Sequence, residues 1–140
     1  MNDLPPGIAA FRIMGALHAA QETMEAALEP LGLSLAKLGV LARLVEAGEP
    51  LPLRVLADRC ACVRSNITQL VDRLEADKLV LRADDPHDRR SIRAELTARG
   101  RAKHAAGAKA LHEAERTVLE RVPADKRQSF LDLLGVLAQR

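Results

Sequence analysis

The sequence predicts an α+β protein that is mainly helical, with one small hairpin near residue 85. Three observations lead there. Apolar residues make up 48% of the 140 positions, and Ala and Leu dominate them, with two Phe and neither Tyr nor Trp. Such a composition suits packed helices, whereas an all-β fold draws on aromatic and β-branched residues. Apolar positions then recur at helical spacing along most of the chain, and change to alternation only after Lys78. Between the two alternating stretches lies a single run of polar turn formers, Ala83 to Arg90. The length fits one domain, residues 1–140.

The first helix is expected after Pro5 and Pro6, which are tolerated at a helix start. It carries Phe11, Met14, Leu17, Met24, Leu28 and Leu31 at helical spacing, and Pro30 with Gly32 closes it. Ser34 caps a second helix that runs through Ala47 and ends at Gly48. Its inward residues are Leu35, Leu38, Leu41, Leu44 and Val45. Leu51-Pro52 reads as a short extended link, and a third helix holds Leu53, Leu56, Ala57 and Cys60. After a tight turn around Ala61, a fourth helix presents Ile67, Leu70, Val71 and Leu74 on one side. Two short strands follow, Leu79–Arg82 and Ser91–Leu96, with the polar loop between them. Thr97 caps a long Ala-rich helix toward Val122. Pro123 opens a last helix with Phe130, Leu131, Leu134, Leu137 and Ala138.

Charge is uneven along this order. The formal net charge is +2, yet residues 54–103 hold 12 Lys/Arg against 8 Asp/Glu, a local +4. The middle of the chain is therefore the part suited to a polyanion. No apolar run reaches the ~18 residues of a membrane span, and the first residues lack the pattern of a signal peptide, so the chain is expected to be soluble and cytoplasmic. Two cysteines one residue apart make no disulfide framework. No HExxH, P-loop, GxGxxG or GxSxG is present, so neither a cofactor nor catalysis is expected. His18, His87, His104 and His112 are read as structural or solvated, and no metal is expected.

Helix, tight turn, helix and hairpin form the order of a winged helix-turn-helix, here residues 34–97. Residues 1–32 and 98–140 then supply the flanking helices, whose apolar stripes are expected to join two copies of the chain. At about 100° per residue, the apolar face of the fourth helix leaves Ser65, Gln69 and Asp72 on the opposite side. Asn66 and Arg73 flank them on one edge and Thr68 on the other, while Arg64 stands at the helix start. Asn and Gln pair with adenine edges, and Arg with guanine or phosphate. Ser65 and the free N–H groups of the helix start suit a phosphate. Such a polar face would otherwise be a solvated surface. Asp72 repels phosphate there unless it accepts from a cytosine amine or orients an arginine. In the hairpin, Asp88, Arg89 and Arg90 form either a self-neutralising surface cluster or a wing tip. In the second case Arg90 enters a minor groove, held by a charge-assisted hydrogen bond that it donates to Asp88.

Four blocks carry a resemblance: SLAKLGVLARL (34–44), RSNITQLVDRLEADKLVLR (64–82), DDPHDRRS (84–91) and ELTARGRA (95–102). With the spacing from Asp88-x-Arg90 to Leu96-Thr97, the chain resembles the MarR family of regulators. Lys78 departs from the glycine usual before the first wing strand, Ala61 from a turn glycine, and Val63 from a capping serine. The resemblance implies a homodimer whose chain ends interlock and whose two wings face double-stranded DNA at a pseudo-palindromic operator. It also implies a ligand-responsive repressor, released by a small anionic or phenolic ligand or by an oxidant. The family's pocket would involve Phe11, Met14, His18 and Leu38. Two alternatives stand beside this reading. Cys60 and Cys62, near a helix start that lowers a thiol pKa, would make a redox-sensing regulator of the same fold, unless both are small core residues. A winged-helix protein–protein module without DNA binding is the other.

Overall fold

Both side-chain caps expected from the sequence are formed, and they frame the central domain. In a computed structural model describing residues 4–60 and 64–139, helix α1 spans Ile8–Leu28 and ends in a 3-10 turn, Glu29–Leu31. Helix α2, Leu35–Ala47, starts at Ser34, whose hydroxyl oxygen accepts the Lys37 N–H at 3.1 Å. It stops at Gly48, which takes up φ +65, a left-handed backbone that glycine enters without a Cβ penalty. Helix α3 is Leu53–Arg59 and α4 is Arg64–Ala76. The turn residues Ala61, Cys62 and Val63 lie outside the described residues, and with them the expectations placed on them.

The sheet is larger than the sequence reading allowed. Leu51-Pro52 is not a bare link but strand β1, paired antiparallel with Ala94 and Arg93. Strand β2 spans Val80–Asp85 and β3 spans Asp88–Leu96, giving the order β1-β3-β2. Most of the expected loop Ala83–Arg90 is therefore strand, and only Pro86 and His87 turn. Asp, which occurs three times between Asp84 and Asp88, is depleted in strands. The ladder nevertheless continues outward as far as Asp84↔Ile92 and closes again at Asp85↔Asp88, because pairing with an existing strand satisfies backbone N–H and C=O groups.

Helix α5 is Ala98–Leu119, capped by Thr97, whose Oγ1 accepts from Gly100 N at 2.9 Å. The Thr97 hydroxyl also lies within donating distance of the Lys78 and Leu79 carbonyls, tying the α5 start to the β2 start. Gly100 is required there. A Cβ at this position would lie 2.0 Å from the Leu79 carbonyl oxygen. Lys78 occupies the left-handed region at φ +61, the only non-glycine among the described residues to do so. Leu79 N donates to Leu74 O and Lys78 N to Glu75 O, so a helix-ending motif that favours glycine is closed here by lysine.

The core is aliphatic and sits mostly in the winged domain, with Leu28 and Leu33 joining it from outside. Leu28, Leu41, Leu44, Leu56, Ile67, Val71, Leu74 and Val80 are buried in it, together with Leu33, Leu38 and Ala94. Val40 is fully buried too, although Leu35 and Val45 were the expected inward residues; those two are only partly covered. A 3-10 turn, Ala124–Lys126, leads into α6, Arg127–Ala138. Every residue from Leu131 to Gln139 is exposed, as are Phe11, Ile13, Met14 and Leu17 on α1. The two ends of the chain thus carry apolar side chains that its own core does not cover.

Candidate nucleic-acid interface

The apolar face of α4 fixes what its other face can do. With Ile67, Val71 and Leu74 buried, Asn66, Thr68, Gln69, Asp72 and Arg73 are all exposed. Asn66, Thr68, Gln69 and Arg73 are four of the six residues expected to meet DNA from this helix. The other two, Arg64 and Ser65, form its first turn.

The second half of the candidate interface is the ribbon of β2 and β3. Its register is regular from Val80↔Leu96 to Asp84↔Ile92 and then jumps to Asp85↔Asp88. Arg89, Arg90 and Ser91 are thereby left without β2 partners, a bulge that aims side chains away from the ladder. Arg89 and Arg90 are exposed. The tip is held by two aspartates acting on backbone. Asp85 Oδ1 accepts from His87 N, and Asp88 Oδ1 accepts from Arg90 N, each at 2.9 Å. This corrects the expected side-chain pairing of Asp88 with Arg90. Asp88 does position Arg90, but through the main chain. The reason is proximity: a carboxylate two residues before an N–H closes a local turn without immobilising a long side chain. Among the described residues, neither Arg89 nor Arg90 takes part in an ion pair, which leaves both guanidinium groups available to an anion.

Helix and ribbon are joined by a residue that the sequence reading did not single out. Arg82, on β2, pairs through Nη2 with Asp72 Oδ1 and through Nη1 with Glu75 Oε1 at 3.2 Å. Its backbone N–H donates to Glu75 Oε2 at 3.0 Å, and Nη2 reaches the Thr68 carbonyl at 3.5 Å. The hydrogen bond that Arg82 donates to Asp72 raises the Arg82 pKa above its ordinary value, against partial burial. Asp72 therefore orients an arginine, one of the two roles that its place on the polar face left open. The available signal was the spacing of Asp72 and Glu75, neighbours on one helix surface just before a strand arginine.

The remaining site expectations fall elsewhere. Phe11, Met14 and His18 stand exposed on α1, whereas Leu38 is buried beside Gly107 of α5. An open groove of about 490 Å³ runs along the later part of α1, lined by Glu22, Glu25, Ala26, Glu29 and Leu33. It contains none of those four. Cys60 ends α3, partly buried against the core, as a small apolar residue there would be. Cys62 lies outside the described residues. Among the described residues, no group of His, Cys, Asp and Glu is arranged to hold a metal ion. No described helix is long and apolar enough to cross a membrane.

Comparison with known proteins matches this geometry. YkoM, a helix-turn-helix transcriptional regulator of Bacillus subtilis, is 35% identical over 69 residues. That match covers 49% of this chain and 44% of YkoM, so the chain spans under half the length of this curated relative. A MarR-family transcriptional regulator from Rhodococcus sp. RHA1 superposes with a TM-score of 0.83 at 26% identity, covering 98% of this chain and 96% of that one. The transcriptional repressor CouR, solved on a 23-mer DNA duplex, gives a TM-score of 0.85 at 26% identity, covering 99% and 100%. Each of the three is described as a regulator of transcription, in keeping with the absence of catalytic motifs in this sequence. Residues 31–91, from the end of α1 to the wing, match the MarR-family model, and with the whole-chain superpositions the chain is similar to regulators of the MarR family.

Proposed function

We propose that this chain binds duplex DNA sequence-specifically as a homodimer and represses transcription until a small anionic or phenolic ligand releases it. The observation that carries the reading is the pairing of two cation-bearing elements on one domain. Helix α4 presents Asn66, Thr68, Gln69 and Arg73, and the ribbon beside it presents Arg89 and Arg90 in a bulge. A helix of this kind fits the major groove, and an arginine-tipped ribbon fits the flanking minor groove. The structure of CouR on a duplex supports the same use of the fold. The uncovered apolar faces of α1 and α6 support pairing of two chains, because a monomer would leave them in water.

Genomic fragments retained by the purified protein at physiological salt test the reading. They are expected to share a pseudo-palindrome whose half-sites lie about one helical turn, ~10 bp, apart. Binding to that site should weaken linearly in log K against log salt. A protein that retains no duplex at any salt concentration would instead be a protein–protein module.

A further inference from the structure

Asp72 shares the exposed face of α4 with Gln69 and Arg73, so a carboxylate stands where phosphate and base edges are to be met. An unneutralised carboxylate against a polyanion is a repulsive contact. In this chain it is not left alone. Arg82 reaches across from β2 and pairs with Asp72, while Glu75 one turn further along the helix holds the same guanidinium and the Arg82 backbone N–H. We propose that Arg82 is a positioning residue for DNA binding: held by Glu75, it cancels the charge of Asp72 on the reading face and so lets that face approach the duplex. This rests on the DNA-binding reading above. It gives the wing strand a task distinct from that of its tip, since Arg82 acts at the root and touches the helix, while the Arg90 guanidinium makes no ion pair among the described residues.

The pairing geometry makes the assignment specific. Arg82 donates through both terminal nitrogens, one to each carboxylate, a two-sided grip that a lysine could not reproduce. Its side chain is 25% exposed, against 57% for Asp72. The arginine is thus held by the domain, and the aspartate is the partner that faces outward. Removing the arginine leaves both carboxylates without it, Asp72 being the more exposed at 57% against 39% for Glu75, whereas removing the aspartate leaves Arg82 still paired with Glu75.

That asymmetry defines the test. The affinity of the wild type, Arg82→Gln, Asp72→Asn and the double variant Asp72→Asn/Arg82→Gln is measured on a fragment that the wild type retains, across a salt titration. Circular dichroism and sedimentation monitor fold and assembly. Arg82→Gln is expected to bind about tenfold more weakly near 50 mM salt, with the deficit narrowing toward 300 mM as the exposed carboxylate is screened. The double variant, which has lost the grip but also the carboxylate, should return to within about threefold of the wild type. Asp72→Asn alone should bind at least as tightly as the wild type, and this variant decides the matter if Arg82→Gln does not fold. Wild-type affinity in Arg82→Gln overturns the proposal, as does a double variant as weak as Arg82→Gln, which would make Arg82 a mechanical brace. An Asp72→Asn protein that binds more than threefold weaker also overturns it. A wild type that retains no duplex removes the DNA-binding reading itself, and the proposal with it.

Discussion

Replacing Leu133 and Leu137 of α6 by Arg is a perturbation whose effect depends almost entirely on whether two chains pair. The two side chains are 63% and 68% exposed in the single chain and lie four residues apart, on one surface of the helix. In a monomer the change exchanges solvated leucines for solvated arginines and costs little. In a dimer that buries them the sum is different. Nine large apolar side chains on α1 and α6, from Phe11 to Leu137, are between 43% and 80% exposed. At about 2 kcal/mol for full burial of each, covering them would contribute about 10 kcal/mol per chain. That is enough for a pair of chains to outweigh an association cost of about 4–15 kcal/mol. Leu133 and Leu137 account for about 2.5 kcal/mol of it in each chain, or about 5 kcal/mol per dimer. Losing that weakens the dimer at least about a thousandfold, before the cost of burying unpaired guanidinium is added. Sedimentation equilibrium over a range of protein concentrations measures it directly. The expected result is a wild-type dimer at micromolar concentration and a folded, monomeric double variant. A wild type that sediments as a monomer, or a double variant that remains dimeric, would refute the interface placed on these helices.

Four further outcomes are expected. Gln69→Ala should cost about 1–3 kcal/mol on the preferred operator and relax specificity at one position per half-site, with little change on random duplex, measured by competition binding. Arg90→Ala should leave folding and assembly intact while flattening the slope of log K against log salt by about two phosphate equivalents per dimer. Asp88→Ala should give a weaker version of the same defect, because its carboxylate holds the Arg90 N–H rather than the guanidinium. Gly100→Ala should destabilise the fold by about 3 kcal/mol in urea unfolding, since its Cβ would meet the backbone oxygen of Leu79 at 2.0 Å and neither element moves freely.

Much of this architecture is local, and local features can be read from residue order. Ser34 and Thr97 cap because a hydroxyl placed just before an apolar-periodic run meets the free N–H groups of the next turn. Gly48 ends α2 because glycine accepts the left-handed backbone. Ile67, Val71 and Leu74 are buried because helical spacing puts them on one side, and the same periodicity leaves Asn66, Gln69 and Arg73 outside. Tertiary structure decided whatever depends on a partner distant in sequence. Leu51-Pro52 becomes a strand only because Ala94 and Arg93 come alongside it. The charged stretch beyond Arg82 is strand, against its composition, because an existing ladder extends into it. For Arg82 the residue order offers only the spacing of Asp72 and Glu75 before a strand arginine, and the pairing exists because the turn at Lys78 folds β2 back against α4. Short-range hydrogen bonds and helical periodicity are written in neighbouring residues, whereas pairing across the fold depends on where packing carries each element.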